Sequence, residues 1–95
     1  MEKLMAMAVF VVVDEGSFAA AARTMAISRS TAARAVTDLE ALLGARLLDR
    51  KAASVQATEA GRRYAEDCRR IVRGVEAAEL AASQCARPDR RRTPR

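Results

Sequence analysis

Histidine and tryptophan are absent from these 95 residues, which hold two cysteines, two phenylalanines and one tyrosine. Each shortage excludes something. Without His, two Cys cannot make the usual Cys/His zinc site. The imidazole that most acid–base mechanisms use is missing, so an enzyme is not expected, nor is any cofactor. Two Cys are no disulfide framework; a reduced, cytoplasmic setting fits better. Long apolar runs are missing too. The segment Leu4–Val13 is apolar over ten residues, short of the roughly 20 that span a bilayer. Glu2 before it and Asp14-Glu15 after it make a poor signal peptide. No membrane partner is expected.

Large side chains are scarce and alanine is abundant. Half of the chain is apolar (51%), yet the core must be thin, and helices are favoured. The length suits one small domain with an added arm. The net charge is +5, unevenly spread: residues 1–50 are neutral, 51–86 carry +1 and 87–95 carry +4. The high pI therefore says little about a basic face on the domain.

The stretch from Gly16 to Gly44 organises the rest. Ser17 can cap a short Ala-rich helix over about Phe18 to Met25. Ala26 and Ile27 make a turn, and Ser28 caps a second helix. That helix runs to about Leu43, where Gly44 can adopt the left-handed conformation that ends it. This is a helix-turn-helix pattern. Ala32, Val36, Leu39 and Leu43 form the expected buried stripe. Ser30, Ala33, Arg34, Thr37 and Ala41 lie opposite, and the first turns of that face are small, polar and basic. Such a surface can enter a major groove, where hydroxyls and guanidinium groups bond phosphates and base edges. The same pattern also suits an ordinary surface helix.

Before this unit, Leu4, Met7, Ala8 and Val11 keep helical spacing despite β-branched V-F-V-V-V, and predict a helix over about Lys3 to Glu15. Phe10 and Phe18 should both be core residues. After it, Leu47–Asp49 and Val55–Ala57 are short strand candidates around a loop at about Arg50 to Ser54, the shape of a wing. Arg50 and Lys51 would meet phosphates there.

These fragments carry a family resemblance. G-S-F-x-x-A-A-R, then I-S-x-S-x-x-x-R-x-V-x-x-L-E-x-x-L-G-x-R-L-L-D-R, then T-E-A-G resembles the N-terminal DNA-binding domain of LysR-type transcriptional regulators. The match runs without insertions from about Leu4 to Gly61. It implies a mainly α fold, a winged helix-turn-helix with a long linker helix, bacterial transcription control and homodimers. Within that fold, Arg29, Ser30 and Arg34 are candidates for base-edge or phosphate contacts with double-stranded DNA, and Ser28 and Thr31 would bond its backbone from the helix start. The departures are Arg29-Ser30 where Gln-Pro is common, Ala33 where Ser is common, and Ala52 or Ala53 where Arg is frequent. Operator preference therefore does not carry over.

Thr58 starts the last helix, expected to run to about Ala86. Tyr64, Cys68, Ile71, Val75, Ala78, Ala82 and Cys85 recur at heptad spacing and form a candidate dimer seam. The resemblance implies an antiparallel pair there. The expected organisation is a DNA-binding domain over 1–58, a linker and dimerisation helix over 59–86 and a disordered basic tail over 87–95. The tail could add a phosphate clamp. In the resembling family a ligand-sensing domain follows; none is expected within these residues. An alternative role is a truncated partner that forms heterodimers with full-length relatives and interferes with them.

Overall fold

The computed structural model describes residues 1–50 and 55–86. The element order is α1 (Lys3–Glu15), α2 (Phe18–Met25), α3 (Arg29–Leu43), β1 (Leu48–Asp49), β2 (Gln56–Ala57) and α4 (Glu59–Ala86). Caps set most of these boundaries. Ser17 Oγ accepts from the Ala20 N–H at 3.0 Å and Ser28 Oγ from the Thr31 N–H at 3.0 Å. Glu2, which sequence reading treated only as a charge, caps α1 by accepting from the Leu4 and Met5 N–H groups. Gly44 closes α3 at φ 67°, as the pattern predicts. Ala26 closes α2 at φ 57°, a left-handed conformation that costs a non-glycine residue roughly 1–2 kcal/mol. The Ile27 N–H bonds back to the Ala22 carbonyl at 3.0 Å and holds that tight turn.

The core lies between α1, α3 and the start of α4. Phe10, Val9, Val36, Leu47, Leu48 and Cys68 are its largest fully buried side chains. The α3 stripe differs from expectation at two positions. Ala35 is buried with Ala32, Val36 and Leu39, while Leu43 is 44% exposed. Leu43 keeps the right angular position but stands a full turn beyond Leu39, where the core has ended. Phe18 is also a correction: it is half-buried and packs on the edge of the core.

The wing is narrower than predicted. β1 and β2 pair antiparallel, Leu48 with Ala57 and Asp49 with Gln56. Lys51 and the tip of the loop lie outside the described residues, as does the 87–95 tail.

The first turns of α4 are bound tightly to the domain. Thr58 Oγ1 accepts from the Gly61 N–H at 3.0 Å and donates to the Arg46 carbonyl at 2.6 Å. Phe10 and Tyr64 rings lie 5.8 Å apart. Burial, with Cys68 beside it, pushes the Tyr64 hydroxyl up to about 12. Burial also raises the Cys68 thiol, so it stays protonated and shielded. Farther along, Arg69 reaches Asp14 Oδ2 at 3.3 Å and Glu15 Oε2 at 3.1 Å, tying α4 to the end of α1. The hydrogen bond to Asp14 is the main reason the Arg69 pKa rises.

The inward face of α4 is Gly61, Ala65 and Cys68, with Val72 half-buried after them. The seam predicted from Tyr64 to Cys85 is therefore not one surface. Its first two members, Tyr64 and Cys68, also pack within their own domain, Cys68 fully buried and Tyr64 half-buried. A 3.5-residue period does not distinguish packing within a chain from packing between chains. Ile71 is 49% exposed, Val75 is half-buried, and Ala78, Ala82 and Cys85 are exposed. Among the described residues no helix is long and apolar enough to cross a membrane.

Candidate nucleic-acid interface

Helix α3 presents its first turns outward. Ser28, Arg29, Ser30, Thr31 and Arg34 are all exposed, with Ala33 half-buried among them. The hydroxyls are organised rather than loose. Ser28 Oγ caps the helix and donates to Thr31 Oγ1 at 2.7 Å, and it lies 3.1 Å from Ser30 Oγ. A hydroxyl has one proton to donate. The Ser28 proton is taken by Thr31, so its role is to build the helix start. Among the described residues, the Thr31 hydroxyl proton and the guanidinium groups of Arg29 and Arg34 remain for outside acceptors. Helix starts also leave their first backbone N–H groups without intrahelical acceptors, and the dipole favours an anion there.

The wing is fixed relative to α3 by a residue that sequence reasoning passed over. Glu40 Oε2 accepts from the Leu47 N–H at 2.8 Å and the Leu48 N–H at 3.1 Å. Its side chain is 13% exposed, and Arg46 Nε lies 4.0 Å away. One carboxylate thus ties the wing's first strand to the candidate recognition helix. The only signal was a Glu inside L-E-x-x-L-G, which gives no hint of a partner seven residues on. Glu40→Ala would orphan two backbone donors, and each buried orphan costs about 1–3 kcal/mol. A urea melt should lose at least that amount, while Glu40→Gln, which keeps an acceptor, should lose less. Equal midpoints for Glu40→Ala and the unaltered chain would contradict this role.

Arg50 leaves β1 beside this assembly. It is exposed, and its guanidinium carbon sits over the Phe18 ring, 5.5 Å from the centroid. A cleft lined by Gly16, Ser17, Phe18, Arg29 and Val55 joins the start of α2, the start of α3 and the wing. Arg29, Ser30, Thr31, Arg34 and Arg50 therefore come from neighbouring elements of one unit. Lys51, the remaining wing assignment, falls outside the described residues.

Two helices in tight succession, an exposed polar start on the second and a two-stranded hairpin after it define a winged helix-turn-helix. The model of the family described as bacterial regulatory helix-turn-helix protein, lysR family, matches residues 4–62. The chain belongs to that family. It is 48% identical over 73 residues to an HTH-type transcriptional regulator of Xanthomonas campestris pv. campestris, covering 77% of this chain and 21% of that one. It is 46% identical over 77 residues to the HTH-type transcriptional activator AaeR of Escherichia coli K12, covering 80% and 25%. The chain thus spans a fifth to a quarter of the length of these relatives. Among solved structures it is similar to the BenM DNA-binding domain in complex with catB site 1 DNA, with a TM-score of 0.81 and 29% identity, covering 90% of this chain and 96% of that one. The CbnR DNA-binding domain in its DNA complex gives a TM-score of 0.76 and 34% identity, covering 92% and 100%.

Proposed function

We propose that this chain is a sequence-specific double-stranded DNA-binding module of a transcriptional regulator, acting as a dimer with one α3 in each of two successive major grooves. The observation that carries this is the start of α3, exposed and furnished with ordered hydroxyls and exposed guanidinium groups. The solved DNA complexes of BenM and CbnR domains with the same fold support it. Arg29, Ser30 and Arg34 take base-edge or phosphate contacts. Thr31 donates to the backbone, Ser28 keeps the helix start in shape, and Arg50 and Lys51 meet phosphates from the wing. Helix α4 supplies the dimer contact through the exposed Ile71, Ala78 and Ala82 and the half-buried Val75, small and branched side chains that suit close pairing of two helices. The same surface would accept a full-length relative, which is how the chain would interfere with one.

Salt dependence tests the reading. If each of two protomers neutralises about four phosphates, the slope of log K against log salt is about −7. It should be measured on a duplex that the chain itself selects from a random pool. A slope near −2 (about two phosphates in all) with no preferred duplex would contradict the proposal.

A further inference from the structure

We propose that Phe18 is the positioning residue for the wing arginine: its ring attracts the Arg50 guanidinium that stands over it and leaves the N–H groups available to a DNA phosphate or groove. The inference rests on the DNA-binding reading above and deepens it.

Aromatics are few in this chain, and they divide by role. Phe10 and Tyr64 pack against each other in the core. Phe18 is placed differently. The Ser17 cap fixes the start of α2, so the first side chain of that helix has a defined direction. Phe18 is half-buried: part of the ring packs on the core, and Arg50 covers it at 5.5 Å from the centroid. That distance lies within the range where a cation is attracted by the ring quadrupole.

The chemistry of the guanidinium makes this useful. It is planar, and its five N–H donors lie in the plane. Attraction of the cation to the ring at this distance uses none of those donors, so they stay available to an outside acceptor. The segment between β1 and β2 carries only two cations, Arg50 and Lys51, and continues with Ala52 and Ala53. The grip of the wing thus depends heavily on where Arg50 stands. The ring that sets this belongs to α2, and Phe18 also lines the cleft shared with Arg29 at the start of α3. The wing and the recognition helix are therefore referenced to one side chain.

The test is a double-mutant cycle on the full chain with a selected duplex. Phe18→Leu keeps apolar bulk and removes the quadrupole. It should weaken DNA binding by about two- to fivefold, the range for an exposed cation–π contact. In the Arg50→Ala background, Phe18→Leu should have no further effect, and Arg50→Lys should show a reduced one. Phe18→Tyr, which keeps a π face, should bind as the unaltered chain does. An equal loss from Phe18→Leu with and without Arg50 would overturn the proposal, because it would mark Phe18 as a packing residue alone. Arg50→Ala binding as tightly as the unaltered chain would also overturn it. That result would remove Arg50 from the interface while leaving α3 recognition standing, so the two failures are distinct. A second readout needs no mutant to fold. In the NMR spectrum of the unaltered protein, ring currents should move the Arg50 δ-methylene protons upfield of their random-coil position. Random-coil shifts there would overturn the proposal on their own.

Discussion

Replacing Leu39 with Ala should lower the unfolding free energy by about 2–5 kcal/mol, the usual range for a buried Leu. The side chain is 2% exposed and sits on the face of α3 that closes the core against α1. That core is built from few large residues, Phe10, Val9, Val36, Leu47 and Leu48 among them, so little is available to refill a cavity. Domains of this size hold a total stability of roughly 5–15 kcal/mol. The loss would consume a large part of it and leave a substantial unfolded fraction at modest temperature. Leu43 provides the internal comparison. It shares the stripe by sequence but is 44% exposed. Leu43→Ala should stay within about 0.5 kcal/mol, as substitutions at the surface usually do. Thermal melts of the two variants side by side measure the difference. Similar losses would mean that the core extends along α3 farther than the structure places it.

A second large effect is expected at Gly61, and its sign runs against helix propensity. Exchanging Gly for Ala inside a helix ordinarily stabilises by about 1 kcal/mol. At Gly61, a Cβ would stand 2.0 Å from the Leu47 carbonyl oxygen and 2.9 Å from its carbon. Both are backbone atoms, so no side chain can swing aside. Leu47 is also held by Glu40 through its N–H and by the Thr58 N–H through its carbonyl. Relieving the clash would pull at both bonds and move the wing away from α3. Gly61→Ala should therefore destabilise by about 1–3 kcal/mol, the range for overpacking, and by more if those bonds break. Gly74, on the same helix, is the control: a Cβ there meets nothing within 4 Å. Gly74→Ala should raise the melting temperature while Gly61→Ala lowers it. Shifts of the same sign would contradict the close approach of α4 to the wing.

Much of this fold was readable from local chemistry. Ser17, Ser28 and Thr58 announced three helix starts, Gly44 announced one end, and the spacing of Leu4, Met7 and Val11 chose helix over strand for α1. These signals lie within one turn of what they control. The features that escaped reading are tertiary. Glu40 meets N–H groups from a segment beyond its own helix. Gly61 is glycine because Leu47 lies against it, and T-E-A-G alone does not say so. The Tyr64–Cys68 end of α4 kept the period of a dimer seam, yet its burial is supplied by Phe10 and α1 of the same chain. At the proposed interface, Ser28, Arg29, Ser30, Thr31 and Arg34 are exposed at the start of α3, where the helical pattern puts them. The division of work among their hydroxyls, and the Arg50–Phe18 contact, required the three-dimensional arrangement.

The central claim is that α3 reads DNA sequence from a two-fold assembly. The most direct test is selection from a pool of random duplexes by the unaltered chain and by Arg34→Ala. The account predicts enrichment of a repeat with two-fold symmetry, its halves spaced by about 10 base pairs or a multiple. Arg34→Ala should weaken binding and relax the preference within each half. The contradictory result would be a pool that stays random, with affinity unmoved by Arg34→Ala and abolished by removal of residues 87–95.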